Sequence, residues 1–244
     1  MIRGVTFDWW HTIAEATPEF DDAMREIRVR NVREALGAAG VRAEARVLED
    51  AYERHTEYLV SCWKRHEDPS PEDQIATFLG FAGLDGSDGR LTAPVARAFG
   101  NAIRERPPAL YPHIADVLGR LRERGLRVGL VSNTGRTWGR YLRELQDDLG
   151  IGGFFDVRVF SDEVGRRKPE RAIFEAVLRP IGLRPGEVVH VGDDLDADVA
   201  GAKGIGMRAV WFSPEPWPNP DAGLADASIR DHADLLPLLE AWSG

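Results

Sequence analysis

The sequence has few of the features that mark secreted, membrane or nucleic-acid-binding proteins. Its 244 residues include one cysteine, Cys62, which excludes a disulfide within the chain and favours a packed thiol. No apolar run approaches the roughly 18–20 residues of a membrane span, and the first residues, MIRGVTFDWW, lack the pattern of a signal peptide. The formal net charge of −9 disfavours nonspecific binding to nucleic acid or anionic membranes. We therefore expect a cytoplasmic protein without nucleic-acid or membrane partners, and its oligomeric state stays open.

The sequence does have a globular composition, with 43% hydrophobic and 29% charged residues. Short strand-like runs end in Asp or Ser and are followed by helical patterns. They span residues 3–8, 127–132, 188–193 and 208–213, with a weaker candidate at 157–161. This alternation predicts an α/β fold with a doubly wound, Rossmann-like parallel sheet and helices on both faces.

A block between the first two strands has a different pattern. Strand signals vanish over residues 17–106, and helical spacing appears around 43–66, 71–82 and 90–105. We predict an inserted all-helical cap over 17–106 and a core made of 1–16 and 107–244. The cap is expected to cover the carboxyl edge of the sheet.

Polar residues follow the predicted strands at the edge where ligands bind in open parallel sheets. Asp8 and the acidic cluster of GDDLDADVAGAKGIGM (192–207) offer the oxygen ligands that Mg²⁺ prefers. Within that cluster, Asp194 and Asp196 also suit helix capping, so their roles stay open. Lys168 precedes Pro169, which we expect to be the first residue of a helix with an anion site at its N-terminus.

Four segments resemble, in order, the four motifs of the haloacid dehalogenase superfamily, and the helical insert resembles that of its C1-cap members. Asp8 with Thr12 resembles motif I, Ser132 in LVSNTG motif II, Lys168 in GRRKPERAIF motif III, and Asp193 with Asp198 motif IV. The resemblance implies an Mg²⁺-dependent phosphatase that acts on a small phosphorylated metabolite through an aspartyl-phosphate. It implies Asp8 and Lys168 as catalytic residues. Thr12, Ser132 and Asn133 would bind the phosphoryl group, and Asp8, the Trp10 carbonyl, Asp193 and Asp198 would bind the metal.

Trp10 departs from the phosphatase pattern, in which an Asp two residues after the nucleophile acts as general acid and base. Losing such a group typically costs about 10²- to 10⁴-fold in rate. His11 and Glu15 are candidate substitutes, and histidine is the residue type used most often as a general acid and base. Trp9, Trp10 and Trp63 are interpreted as hydrophobic walls.

Three alternatives within the resemblance stay open. The 2-haloacid dehalogenases carry an aromatic residue at this place and need no metal. Phosphonatases use a cap lysine as a Schiff base, and Lys64 is the only lysine in the insert. A metal-dependent binding or regulatory protein with weak or no turnover is the third.

Overall fold

A computed structural model describes residues 1–214 and 222–242 and has a six-stranded parallel sheet at its centre. The strands are β1 (Gly4–Phe7), β2 (Arg127–Ser132), β3 (Val157–Phe160), β4 (Val188–Gly192), β5 (Arg208–Phe212) and β6 (Ala227–Ile229), in the order β3-β2-β1-β4-β5-β6. The predicted α/β class is confirmed. The edge strand β6 was not predicted, because the three residues ASI are too short to show a periodic pattern.

Strand β1 lies between β2 and β4, where the chain order of the sheet reverses. All four of its residues are buried, and Phe7 pairs with Leu130 of β2 and Val191 of β4. Such a reversal opens a crevice at the carboxyl ends of the strands. The residue that follows β1, Asp8, therefore lies at the mouth of this crevice.

Ten α-helices accompany the sheet in the described part of the chain. They are α1 (Pro18–Ala38), α2 (Ala45–Trp63), α3 (Pro71–Phe81), α4 (Gly89–Glu105), α5 (Ile114–Glu123), α6 (Gly139–Asp148), α7 (Ser161–Val164), α8 (Arg171–Ile181), α9 (Gly201–Gly204) and α10 (Leu235–Ala241). Short 3₁₀ turns cover Gly152–Phe154, Pro185–Glu187, Ala222–Leu224 and His232–Asp234, and a π-helical segment covers Leu195–Ala200. Among these residues, no helix combines the length and apolarity needed to cross a bilayer.

Helices α1 to α4 occupy the stretch for which a helical cap was predicted. Their starts follow from local chemistry: the hydroxyl of Thr17 accepts from the N–H of Phe20 at 3.2 Å, and Ser70 and Asp88 cap α3 and α4 in the same way. Prolines at the starts of α1 and α3 add to this. The domain division at 16/17 and 106/107 stays a prediction.

The four cap helices have a hydrophobic cluster of their own, which includes Trp138 and Tyr141 from the segment after β2. Phe20 and Met24, from the first turns of α1, belong instead to the cluster beneath the sheet. Apolar packing therefore joins the cap to the rest of the protein on two sides.

The expectation that Pro169 begins a helix is wrong. Helix α8 begins at Arg171 and Glu170 is its N-cap residue, so Pro169 lies before the helix, in a cis peptide bond with Lys168. The side chain of Asn133 bonds to the Lys168 backbone, and Pro169 packs closely against Gly201. Lys168 therefore lies two residues before the N-cap residue of α8.

Helix α4 approaches α6 so closely that only glycine fits at position 100. A Cβ atom there would lie 1.8 Å from the ring of Tyr141.

We expect Gly100→Ala to lower the free energy of unfolding by about 1–3 kcal/mol through overpacking, measured as a lower urea midpoint. Gly37→Ala on α1 is the matched control, since its Cβ would meet nothing within 4 Å; it should be neutral or stabilising by up to about 1 kcal/mol. Equal midpoints for Gly100→Ala and the parent protein would contradict this packing.

Candidate active site

A cleft of about 560 Å³ lies between the carboxyl edge of the sheet and helices α1 and α2. Asp8 follows β1, Asn133 follows β2 and Asp193 follows β4, and all three line the cleft. Lys168 and Asp198 line it from the segments after β3 and β4. The strand-end residues predicted to converge are therefore brought together.

Lys168 connects two of the carboxylates. Its Nζ lies 2.5 Å from Oδ1 of Asp8 and 2.6 Å from Oδ1 of Asp198, and the residue is 3% exposed. Burial acts to lower the pKa of Lys168, but Asp198 and Asp8 outweigh burial and raise the pKa. The ammonium group therefore stays charged beside Asp8.

Asp198 is held by donors on both oxygens. Nε2 of His190 lies 2.9 Å from Oδ1, and the N–H of Asp194 donates to Oδ2 at 3.1 Å. Oγ1 of Thr6 lies 2.9 Å from Nδ1 of His190, and burial lowers the pKa of this imidazole, so a neutral ring can donate to Asp198 and accept from Thr6. Although burial acts to raise the pKa of Asp198, Lys168 and His190 lower it to about 2.

Asp8 and Asp193 have too little positive charge around them to offset the effect of burial on their pKa values. Burial raises the pKa of Asp8 to about 7, with Lys168 opposing, and burial together with Asp8 and Asp198 raises the pKa of Asp193 to about 8. One oxygen of each of the three aspartates lies within 4.8 Å of the others. A cation can offset this repulsion, so the donor set fits a divalent metal ion. Because Asp198 already has partners on both oxygens, Asp8 and Asp193 are the freer pair.

The predicted phosphoryl-binding residues already have partners. Thr12 is fully buried and donates to Oδ1 of Asp193 at 3.3 Å, and Ser132 is fully buried with its hydroxyl 3.4 Å from the carbonyl of Asn133. Asn133 accepts from the N–H of Lys168 at 2.8 Å and donates to its carbonyl at 3.2 Å. These contacts show positioning of Asp193 and Lys168; direct phosphoryl contacts stay predictions.

Of the two candidate substitutes for the missing acid, His11 and Glu15, only His11 lines the cleft. Trp10 and His11 line the cleft, and His11 has a positive φ of 57°, a conformation that side chains rarely adopt. The Trp10 ring packs 6.0 Å from that of Phe20 on α1, so the indole is a wall between sheet edge and cap. Glu15 and Lys64 are outside the cleft lining.

The acidic residues after Asp193 follow the capping interpretation in part. The carboxylate of Asp194 accepts from the N–H groups of Asp196 and Ala197, both at 2.9 Å, and so begins the π-helical segment. Asp194 also lines the cleft, whereas Asp196 is exposed and outside it.

Sequence reasoning missed a buried polar network that ties the cap to the segment carrying Lys168. Asp68, after α2, is 4% exposed and lies 2.8 Å from Nη1 of Arg167. Its Oδ2 also accepts from Thr134 at 3.0 Å and from Ser161. Asp68 begins the run DPSPED (68–73), whose composition is typical of a turn and gives no sign of a partner so distant in sequence.

Comparisons with known proteins agree with the family resemblance of the motifs. A protein-family model described as haloacid dehalogenase-like hydrolase matches residues 2–206. A glyceraldehyde 3-phosphate phosphatase of Methanothermobacter thermautotrophicus is 39% identical over 126 residues, which are 51% of this chain and 50% of the relative. The chain thus spans about half the length of the curated relatives that it matches.

Two solved structures are similar along almost the whole chain. A HAD phosphatase from Thermococcus onnurineus is 26% identical, covers 98% of both chains and gives a TM-score of 0.67. A 2-haloacid dehalogenase from Pseudomonas syringae is 24% identical, covers 99% of this chain and 100% of the other and gives a TM-score of 0.72, a similarity that concerns the fold alone.

The buried network around Asp68 predicts a pH dependence of stability. Burial raises the pKa of Asp162 to about 6. The single hydroxyl of Thr134 lies 3.0 Å from Oδ1 of Asp162 and also 3.0 Å from Oδ2 of Asp68. One hydroxyl proton cannot serve both carboxylates. Because the folded state binds the Asp162 proton more tightly than the unfolded chain, this contribution to stability is present below about pH 4 and is lost as pH rises through about 6.

We therefore expect the difference in free energy of unfolding between the parent protein and Asp162→Asn to change by about 2–3 kcal/mol between about pH 4 and pH 7. The parent should lose stability relative to the variant as pH rises. Denaturant titrations in chelator at several pH values measure this difference. Parallel pH profiles for the two proteins would show that Asp162 ionises normally.

Proposed function

The chain belongs to the haloacid dehalogenase-like hydrolases, and from that premise we propose that it is an Mg²⁺-dependent phosphatase acting on a small phosphorylated metabolite through an aspartyl-phosphate. The observation that carries the proposal is the charge arrangement at the strand ends: Lys168 bridges Asp8 and Asp198, and Asp193 completes an acidic group of metal-binding size. The names of relatives at 30–39% identity point the same way. They are phosphatases of glyceraldehyde 3-phosphate, phosphoserine and phosphoglycolate, among others.

Asp8 is the proposed nucleophile. One of its carboxylate oxygens attacks phosphorus, the bond from phosphorus to the ester oxygen breaks, and the alcohol leaves as its alkoxide or phenoxide. Water then attacks the aspartyl-phosphate, which releases inorganic phosphate and restores the carboxylate. The ion pair with Lys168 orients Asp8 for both steps and opposes the effect of burial on its pKa.

Lys168 also offers its charge to the phosphoryl oxygens, which carry negative charge throughout the reaction. The Lys168 side chain is positioned by Asp198, which in turn contacts His190, and His190 contacts Thr6. The backbone N–H of Lys168 is held by a hydrogen bond to Asn133. Thr12 and Ser132 complete the proposed phosphoryl site, with Thr12 also orienting Asp193.

Asp8, Asp193 and the carbonyl of Trp10 would hold Mg²⁺, and Asp198 would support it through Lys168. When bound, the cation supplies charge neutralisation for the phosphoryl oxygens and for the crowded carboxylates. The cap helices exclude water from the cleft and select the substrate.

Because Trp10 occupies the position of the usual acid, no side chain at that position can protonate the leaving group. The indole has no acidic or basic group, and its ring packs against the cap. His11 is the remaining titratable side chain of this loop on the cleft wall. Proton transfer is therefore the expected weak point of the reaction.

The alternatives are separated by substrate panels. Lys64, the candidate Schiff-base lysine of a phosphonatase, is exposed and outside the cleft, which disfavours that chemistry. The aromatic Trp10 favours trying 2-haloacids beside phosphate esters. Turnover of neither class would favour a metal-dependent binding protein.

The metal proposal predicts opposite effects of Asp193→Asn with and without Mg²⁺. Mg²⁺ at about 100 times its Kd should stabilise the parent by about 2.7 kcal/mol, and the variant should lose most of that gain. In chelator the variant should melt higher than the parent, since one of three repelling carboxylates is removed. Thermal melts measure both effects.

Asp196→Asn is the matched control, since Asp196 lies on the same turn but is exposed and outside the cleft. Its Mg²⁺ response should equal that of the parent. A full Mg²⁺ shift in Asp193→Asn would remove Asp193 from the metal site.

The missing acid predicts a preference for good leaving groups. An aryl phosphate needs little protonation to leave, whereas an alkyl phosphate needs much, so kcat/KM should favour aryl substrates by about 10²-fold or more. Trp10→Asp should raise alkyl turnover, and Trp10→Asn, which matches it in size but has no acid, should not. Folding must be verified first, because replacing a large aromatic residue can cost about 3–5 kcal/mol. Equal aryl and alkyl kcat/KM in the parent would show that another group supplies the proton.

A further inference from the structure

Two arginine side chains on the cleft wall have no carboxylate partner. Arg28 projects from α1 of the cap and Arg136 from the loop after β2, and both line the cleft that contains Asp8. Within the described residues, no carboxylate oxygen comes within 4.0 Å of either guanidinium group. This distinguishes them from Arg167, which is paired with Asp68.

The contacts of Arg28 and Arg136 are to neutral groups. Arg28 donates to the hydroxyl of Thr137 at 2.7 Å and to that of Tyr52 at 3.3 Å. Arg136 donates to Thr56 and lies over the ring of Tyr52, 4.2 Å from its centroid. The Nε atoms of both arginines are buried without an acceptor.

This arrangement is costly without an anion. Arg28 is only 7% exposed, and a buried charge or donor without its partner costs free energy. The nearby carboxylates do not remove the deficit, because Glu53 is paired with Arg25 at 2.5 Å and Asp21 acts on the two guanidinium groups only from beyond ion-pair distance. Two guanidinium groups therefore line one cleft without a carboxylate partner.

His55 is a buried neighbour whose pKa is affected by the positive charge of Arg28 and Arg136. It is fully buried, both its ring nitrogens lack partners, and burial together with Arg136 and Arg28 lowers its pKa to about 3. A neutral ring at this place adds no charge of its own. The ring therefore supplies no counter-charge to the two arginines.

We propose that Arg28 and Arg136 form a second anion site, so that the preferred substrate carries a second oxoanion, a carboxylate or another phosphate, besides the phosphoryl group at Asp8. The inference rests on the proposed function for the phosphoryl end alone. Guanidinium groups bind both kinds of oxoanion through paired donors. Since Arg28 belongs to the cap and Arg136 to the core, an anion held by both also draws the cap onto the bound substrate.

The test uses substrates that differ in the second anion only. Phosphoglycolate is compared with ethyl phosphate for the carboxylate, and propanediol bisphosphate with propyl phosphate for the second phosphate. In one of the two pairs, we expect kcat/KM to favour the substrate with the second oxoanion by at least about 10-fold, as charge-assisted hydrogen bonds are typically worth about 10- to 100-fold. The pair with the larger ratio identifies the oxoanion.

Arg28→Met and Arg136→Met should each reduce that ratio by about 10- to 100-fold while changing kcat/KM for ethyl or propyl phosphate less than about 3-fold. Two separate variants guard against one that fails to fold. Arg30→Met is the matched control, since Arg30 lies on the same helix but is exposed and paired with Glu105; its ratio should equal that of the parent. Ratios near one in the parent, or unchanged ratios in both folded variants, would overturn the second anion site.

Failure of the proposed function gives a different result. If p-nitrophenyl phosphate and all four esters are not turned over, the phosphatase proposal fails, and calorimetric titration with malonate and with methylenebisphosphonate then tests the arginine pair directly. Binding that both methionine variants lose would support the site, and absence of binding to the parent protein would refute it.

Discussion

The ion pair between Lys168 and the two aspartates at the strand ends is the interaction on which the rest of the site depends. It requires three segments that are distant in the chain to end at one edge of the sheet, which the central place of β1 achieves. Lys168 has lost almost all contact with water, so it keeps its charge only because Asp8 and Asp198 surround it. Asp198 in turn is fixed by His190. Asp8, the proposed nucleophile, is therefore held beside a buried positive charge.

The cap does more than cover this centre. Asp68 reaches from the end of α2 into the loop that carries Lys168 and pairs with the preceding residue, Arg167. Main-chain bonds strengthen the link, since the N–H of Arg167 donates to the carbonyl of His66 at 3.0 Å. A movement that separates Asp68 from Arg167 would break this buried ion pair. The position of the cap is therefore coupled to that of the Lys168 segment, and a substrate that bridges Arg28 to Arg136 would add a second link.

Features that depend on local pattern could be predicted from the sequence, and features that depend on distant contacts could not. The places of Asp8 and Asp193 could be predicted because the carboxyl ends of parallel strands share one edge of the sheet. The helical spacing of the insert predicted helices without a strand among them. The edge strand β6 is too short to show a period. Asn133 bonds to the backbone of Lys168 across 35 residues, a contact that no local pattern reveals. The arginine pair had no local signal either, since a charged residue on an amphipathic helix, such as Arg28, or in a polar loop, such as Arg136, usually faces solvent.

The central claim is that Asp8 becomes phosphorylated. Because Trp10 offers no base to activate water, the aspartyl-phosphate should accumulate when an aryl phosphate is supplied with Mg²⁺. Acid quenching during turnover, followed by peptide mass spectrometry, tests this most directly. The account predicts one phosphoryl group on the peptide that contains Asp8, and neither phosphorylation nor turnover in Asp8→Asn. Sustained turnover by a folded Asp8→Asn variant, or a phosphoryl group on a different residue, would contradict it.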